Sequence, residues 1–536
     1  MEVSRMSEQR TSMLGRESAS RGRMGIAEPV LAAYVIVTVL CLAVYVIVGQ
    51  SWWTLGFIAL VAVSTVAVTL SRPGHRSPAE GWVHRLRDRR RRRDGEHLYV
   101  GAADPDYGRA GVDPGWARPV PLGKVDPVEV AGTGLDEMFI LEHRPEGEDH
   151  YFSVVLSIQG LAAGLRSDAE WAAAQAQFGA AMASMARRSS LVTGWGMVHR
   201  SVPADLWPHE AWITARVRAN PAAAASAPAA AAYGQTIDEL APHVEEHRAY
   251  GVLIFRRTRA FEKEASRVAG RKGAPVRGGI AQVIRDETAR AVASLSAARM
   301  GQVTVLGEQR ACAVFRSFLD PSYPLDEHAG ADFDNCWPSY VGGDEAMVVT
   351  GRDGDWYTRA GTIHPADIQP VELGPLWHAS VLTGVEPDEG DDEVPPAPTI
   401  RTVAVRLDFI EAGRARSDAK KHVTQDAARR LKEEKQGRIT DGGSEMQQGA
   451  SERRRADLMP GTGHHGGVFT MSVAVTGRDA DDVLRGCARV EAAADEAGID
   501  RIDWHDDSHD VAVFATLPLG RGLAGSKLTR ETNPLR

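Results

Sequence analysis

The sequence predicts an α+β protein: a two-helix transmembrane hairpin followed by two cytoplasmic α+β units with a protruding helical pair. Three observations predict it. A long uncharged stretch breaks at its centre, short apolar runs alternate with helical patterns beyond it, and one long charged helical segment separates the last strands. The 536 residues are several domains' worth of chain at roughly 150 residues each. A composition of 43% hydrophobic and 25% charged residues excludes a collagen-like, mucin-like or wholly disordered chain.

The hairpin comes first. No Asp, Glu, Lys, Arg or His occurs from Val30 to Leu70, and Gly49-Gln50-Ser51 interrupts the run. Spans over 30–48 and 52–70 result, each about 28 Å of helix against a hydrocarbon core of about 30 Å. The three-residue link allows only an antiparallel pair. Tyr45, Trp52 and Trp53 gather at the turn, where amphipathic rings favour the headgroup level. Arginine sets the orientation. Residues 1–29 carry Arg5, Arg10, Arg16, Arg21 and Arg23, and the juxtamembrane segment 71–97 carries Arg72, Arg76, Arg85, Arg87 and the run Arg89–Arg93. Both termini are therefore expected in the cytoplasm of a two-pass membrane protein. The net charge of −9 hides this polarity, since residues 1–100 hold 14 Arg, no Lys and 8 acidic residues. Five consecutive arginines have the charge density to bind nucleic acid, but their place directly after a span reads first as an anchor on anionic lipid.

Beyond residue 97 the first α+β unit is expected over 98–385. Tyr151–Ile158 reads as a strand. Ser167-Asp168-Ala169-Glu170 is a capping box that opens a helix through Met185, and another strand is expected around Leu191–His199. Tyr250–Arg257 reads as a strand, Gly279–Ala298 as a helix, and Gln302–Leu306 as a strand before a short helix. The acidic, Pro-rich stretch 386–399 is the best boundary. The second unit, 400–523, begins with strand Ile400–Ile410 and a long charged helix, Glu411–Arg438. Its helical hairpin spans 411–458, with Ser451–Leu458 as return arm and the polar, Gly-rich 440–467 as an interruption. Strand Val468–Val475, helix Asp481–Ala497 and a closing hairpin of Ile502–Trp504 with Val511–Leu517 complete it, before a tail over 524–536.

Chemistry-bearing patterns are few. Cys41, Cys312, Cys336 and Cys487 stand too far apart for a disulfide framework or a paired-cysteine zinc site. Gly520 to Lys527 imitates a phosphate loop, but the lysine follows the serine and nine residues leave no room for the required helix. Gly461-Thr-Gly463-His-His-Gly466 precedes a strand, the reverse of the dinucleotide-binding context. His209-Glu210 begins a zincin motif that Ile213 breaks. His505 and His509, flanking Asp506 and Asp507, would chelate a divalent metal on a helix, whereas a solvated turn is the plainer reading. No catalytic residue, cofactor-binding residue, metal site or cofactor is assigned.

The order of segments nevertheless carries a resemblance. The hairpin, GEHLYVG (Gly95–Gly101), HYFSVVLSIQG (His150–Gly160), FRSFLDPSYP (Phe315–Pro324), TVAVRLDFIEAGRA (Thr402–Ala415), GGVFTMSVAVTG (Gly466–Gly477) and ATLPLGRGL (Ala515–Leu523) follow one another. Together they resemble an actinobacterial family of integral membrane proteins associated with conjugation-type, type IV-like transfer systems. The cytoplasmic part is similar to the non-motor amino-terminal domain of type IV secretion ATPases. The resemblance covers nearly the whole chain, although 219–233 and 440–467 have no assigned counterpart in it. It implies a non-enzymatic, membrane-anchored scaffold that docks a separate hexameric ATPase. The expected partners are the lipid bilayer, that secretion or conjugation ATPase, and sister subunits in a homo- or hetero-oligomeric membrane complex, without direct nucleic-acid contact. A subunit of the type VII secretion membrane complex, a membrane-tethered enzyme and a DNA-contacting coupling protein are the alternatives.

Overall fold

A computed structural model describes residues 12–13, 28–49, 51–70, 78–128, 138–145, 149–160, 166–204, 207–219, 232–237, 244–270, 277–325, 332–384, 399–436 and 442–522. The linker at 386–398 and the tail at 524–536, with Ser526 and Lys527 of the imitation phosphate loop, lie outside the described residues. The chain divides into two compact units, one of residues 17–96 and one of residues 1–16 with 97–536.

The smaller unit is helical. The apolar runs form α1 (Glu28–Val48) and α2 (Trp52–Leu70), and the basic segment forms α3 (Pro78–Arg93). Gly49, at φ +81°, supplies the left-handed residue that ends α1, and its N–H donates to Tyr45 O at 3.2 Å. Side chains 28–33 and 66–70 lie outside the described residues. Among the described residues, no helix is long and apolar enough to cross a membrane.

The larger unit is built on one antiparallel sheet of 13 strands. In chain order its elements begin with β1 (Ser12–Met13), β2 (Leu98–Tyr99), β3 (Val125–Pro127), β4 (Ile140–His143), β5 (Tyr151–Ile158), α4 (Asp168–Met185), β6 (Gly194–Pro203) and α5 (Trp207–Ala219). There follow β7 (Glu245–Arg256), α6 (Arg259–Val268), α7 (Arg277–Ala297), β8 (Val303–Val305), α8 (Glu308–Leu319), β9 (Tyr340–Gly342), β10 (Met347–Gly351), β11 (Gly354–Ile363), β12 (Glu372–Leu373) and α9 (Ala379–Thr383). The last are β13 (Ile400–Ile410), α10 (Ala412–Lys435), α11 (Gly443–Asp457), β14 (Gly466–Gly477), α12 (Ala480–Glu496), β15 (Asp503–Trp504) and α13 (His509–Thr516). Strand order is β2-β9-β10-β11-β14-β13-β6-β7-β5-β4-β3, with β15 on β11 and β8 on β5; β1 and β12 form a separate pair.

This order corrects the expectation of two α+β units at 98–385 and 400–523. β13 lies between β14 and β6, pairing Thr402 with Ala474 on one side and with Arg200 on the other. Strands from both sides of the linker therefore belong to one sheet. The alternation of apolar and polar residues predicts each strand but says nothing about which strand it pairs with.

Helices cover both faces. On one face α4, α6 and α7 pack on Phe152, Val154, Trp195, Leu253 and Phe255, while α9 and α12 pack on Val403, Val473 and Val475. The opposite face, with Val155, Val198, Tyr250, Ala404 and Ala474, takes α8 and α13. The capping box forms as its residues require: Glu170 N donates to Ser167 Oγ at 3.4 Å and Ser167 N donates to Glu170 Oε2 at 2.8 Å. Two further elements differ from expectation. Residues 511–517, read as a strand, lie largely in α13, because its buried residues His509, Asp510, Val513 and Phe514 recur with a four-residue period. The polar stretch after residue 440 is helical from Gly443, following Gly442 at φ +80°.

Candidate functional site

Within the smaller unit, α1 and α2 pack against each other. Their outer surfaces are apolar and uncovered. Val39, Leu42, Val46, Ile47, Leu55, Phe57, Leu60 and Val63 are all exposed, and Trp52 and Trp53 reach 89%. Each such aliphatic or phenyl side chain left in water forgoes roughly 1.5–3 kcal/mol of burial free energy, so this surface calls for an apolar surrounding. The hydroxyls present do not oppose that. Thr38 donates to Tyr34 O and Thr65 to Val61 O, both at 2.7 Å, within their own helices.

Along α3, Arg85, Arg89 and Arg93 recur every four residues and are exposed, which makes a basic stripe. Their neighbours are compensated. Arg92 Nε lies 3.0 Å from Asp88 Oδ2, Arg91 reaches Asp88 and Glu96 at 3.6 and 3.7 Å, and Arg90 reaches Asp94 at 3.6 Å. The run of five therefore presents less free positive charge than its composition suggests.

In the larger unit, one helical pair extends beyond the residues that bury its base. α10 and α11 form an antiparallel pair whose buried residues are Ala415, Ala419, Ala450 and Ser451. Beyond Ala419 nothing described on α10 is buried, and Leu431 and Met446 stand exposed. Ser451 Oγ donates to Asp426, and Arg454 Nη1 lies 3.4 Å from His422 Nδ1. The two helices carry eleven Lys or Arg side chains against seven Asp or Glu, although the whole chain is acidic. The sheet edges offer less. β2 has two residues and β3 three, one of them Pro127, and such short strands are poor templates for an added strand.

The residues singled out from the sequence are engaged in the fold. His505 Nε2 lies 2.8 Å from Thr362 Oγ1, and His509 is fully buried with Ala360 N donating to its Nδ1 at 3.1 Å. Burial, then the nearby Arg359, pushes His509 down to about 4. Asp506 pairs with Arg359 at 2.6 Å, and its Oδ1 lies 3.8 Å from His509 Nε2. Among the described residues no three His, Cys, Asp or Glu side chains are grouped to hold a metal ion. His209 bonds Tyr233. Gly461 and Gly463, at φ +93° and +76°, form a loop leading into β14. Cys312, Cys336 and Cys487 are buried free thiols, and burial pushes Cys487 up to about 12.

A buried polar layer escaped the sequence reading. Arg200 donates to Ser317 O at 3.0 Å and Phe318 O at 3.2 Å, the last carbonyls of α8, and to Thr402 Oγ1 at 3.0 Å. Burial pushes it down to about 9. Asp408, 1% exposed, pairs with Arg256 at 2.5 Å and Arg406 at 3.5 Å, and the Arg406 guanidinium lies over the Tyr151 ring. Gly194 makes room for it: a Cβ there would stand 2.7 Å from Asp408 Oδ1. Burial, then Arg521 and Arg406, holds His143 well below its usual value, and its Nε2 lies 2.7 Å from Ser153 Oγ. The available signal was Arg406 and Asp408 in the mainly apolar second half of a strand that also carries Arg401 and Thr402. No family model matches the chain, and no curated protein matches it in sequence.

Proposed function

We propose that this protein is a non-enzymatic, membrane-anchored scaffold of a conjugation-type, type IV-like transfer machine. The hairpin α1–α2 spans the bilayer with both ends on the cytoplasmic side, and the larger unit docks a separate hexameric ATPase there. The observation that carries the membrane part is the uncovered apolar surface of the hairpin, with Trp52 and Trp53 at its turn. The basic stripe Arg85, Arg89, Arg93 supports it, since arginines beside a span interact with anionic headgroups at about 1 kcal/mol each. The docking part rests on the segment order that resembles the transfer-system family. It is supported by the basic α10–α11 pair, which leaves Leu431 and Met446 exposed and suits an acidic partner surface with an apolar centre.

Two measurements test the reading. A carboxyl-terminal reporter that is active only inside the cell should be active while the chain fractionates with membranes; an extracellular signal or a freely dissolved chain refutes the anchor. Affinity purification of the detergent-solubilised protein should recover an ATPase, and Leu431→Glu with Met446→Glu should diminish that recovery without altering thermal stability. Unchanged recovery from the double variant refutes the helical pair as docking surface.

A further inference from the structure

At the end of the sheet where β7 and β13 finish, a cavity of about 590 Å³ opens beside the first turn of α10, within the range of small-ligand sites. Five arginines line it: Arg188 after α4, Arg256 and Arg257 at the end of β7, and Arg414 and Arg416 at the start of α10. Three are already compensated. Arg256 is held by Asp408 and by Asp149 at 3.6 Å, Arg257 by Glu262 at 2.9 Å, and Arg414 by Asp418 at 3.9 Å. Arg188 and Arg416 are exposed and make no hydrogen bond or ion pair with the described residues. Glu411, at the N-cap of α10, makes no side-chain cap bond, and nothing stands within 4 Å of where a Cβ of Gly413 would be. The opening turn of a 24-residue helix is thus left open beside two uncompensated guanidinium groups.

We infer that this cavity binds a phosphate-bearing anion. Two free guanidinium groups outweigh the one unpaired carboxylate of the lining, Glu411, and so favour a phosphomonoester, which carries about −2 near pH 7; their planar forks match phosphoryl oxygens. The amino terminus of α10 adds backbone donors and a favourable dipole. Asp408 belongs to the fixed part of the site, keeping Arg256 in place at its floor. The inference does not depend on the scaffold reading. A soluble compound and a lipid headgroup present the same phosphate chemistry, so the test has two arms.

The full-length protein in neutral detergent is titrated calorimetrically with inorganic pyrophosphate at low salt, and separately examined by native mass spectrometry with short-chain phosphatidic acid. Saturable binding is expected in at least one arm. Arg188→Gln with Arg416→Gln should weaken it at least about tenfold, while Arg485→Gln, an exposed arginine outside the cavity, leaves it unchanged. Both cavity arginines are exposed, so the double variant should keep the parent melting temperature. Binding of pyrophosphate alone assigns a soluble ligand, and binding of phosphatidic acid alone assigns a headgroup. No saturable binding in either arm, or binding that the double variant does not weaken, overturns the inference.

Discussion

Replacing Gly194 by alanine tests the buried Arg–Asp layer directly. A Cβ at this position would stand 2.7 Å from Asp408 Oδ1 and 2.9 Å from Leu407 O, both closer than a Cβ tolerates. Neither neighbour yields easily. Leu407 belongs to the central strand β13, and the Asp408 carboxylate is held by Arg256 and Arg406. Overpacking of this kind costs about 1–3 kcal/mol. Against it stands a gain of about 0.5–1 kcal/mol, because alanine has less backbone freedom to lose than glycine. The expected net effect is a destabilisation of about 1 kcal/mol and at most about 2.5 kcal/mol. Gly179 in α4 is the control, since nothing stands within 4 Å of its would-be Cβ. Gly179→Ala should stabilise by up to about 1 kcal/mol. Urea midpoints of the detergent-solubilised protein, followed by tryptophan fluorescence, compare the two. If Gly194→Ala matches or exceeds the parent, the packing argument for β6 against β13 is wrong.

Three further predictions follow from the same structure. Ser167→Ala should cost about 1 kcal/mol by removing the cap of α4, read from the urea midpoint, and Ser167→Asp should restore most of it. His509 titrates near 4 in the fold and near 6.5 unfolded, so the unfolded chain takes up its proton first as the pH falls. Its contribution is therefore complete above about pH 6.5 and lost progressively toward about pH 4, amounting to roughly 3 kcal/mol; a His509→Gln variant should show a flatter midpoint-against-pH curve over that window. Leu42→Arg places a charge in the middle of α1, at about 2.5–3.5 kcal/mol in a bilayer, and should reduce the membrane-associated fraction measured after extraction.

Local signals in the sequence carried far. Ile400–Ile410 and Tyr151–Ile158 are strands with the expected bounds, because their β-branched and aromatic runs are long enough to exclude a competing period. Ser167 and Glu170 mark a helix start by chemistry confined to four residues. The Val511–Leu517 run failed because a short apolar segment satisfies both periods, and the buried His509 and Asp510 that decide for helix read as polar. Pairing of β13 with β6 depends on contacts about two hundred residues apart, for which no local pattern exists. The cavity beside α10 was equally hidden, since Arg188, Arg256 and Arg416 come from three separate stretches of chain that meet only where the sheet ends. The hydrogen bonds of Arg200 to the last carbonyls of α8 likewise depend on tertiary placement.

The interleaving of β13 and β14 with strands from the earlier half has a practical consequence. A peptide bond cut anywhere in 386–398 would not release two independent proteins. The carboxyl-terminal fragment would remain zipped to its counterpart along two backbone seams, β13 with β6 and β14 with β11. Either piece made alone would face water with a row of unclaimed amide groups. Any attempt to dissect this protein at that boundary should therefore supply both pieces together.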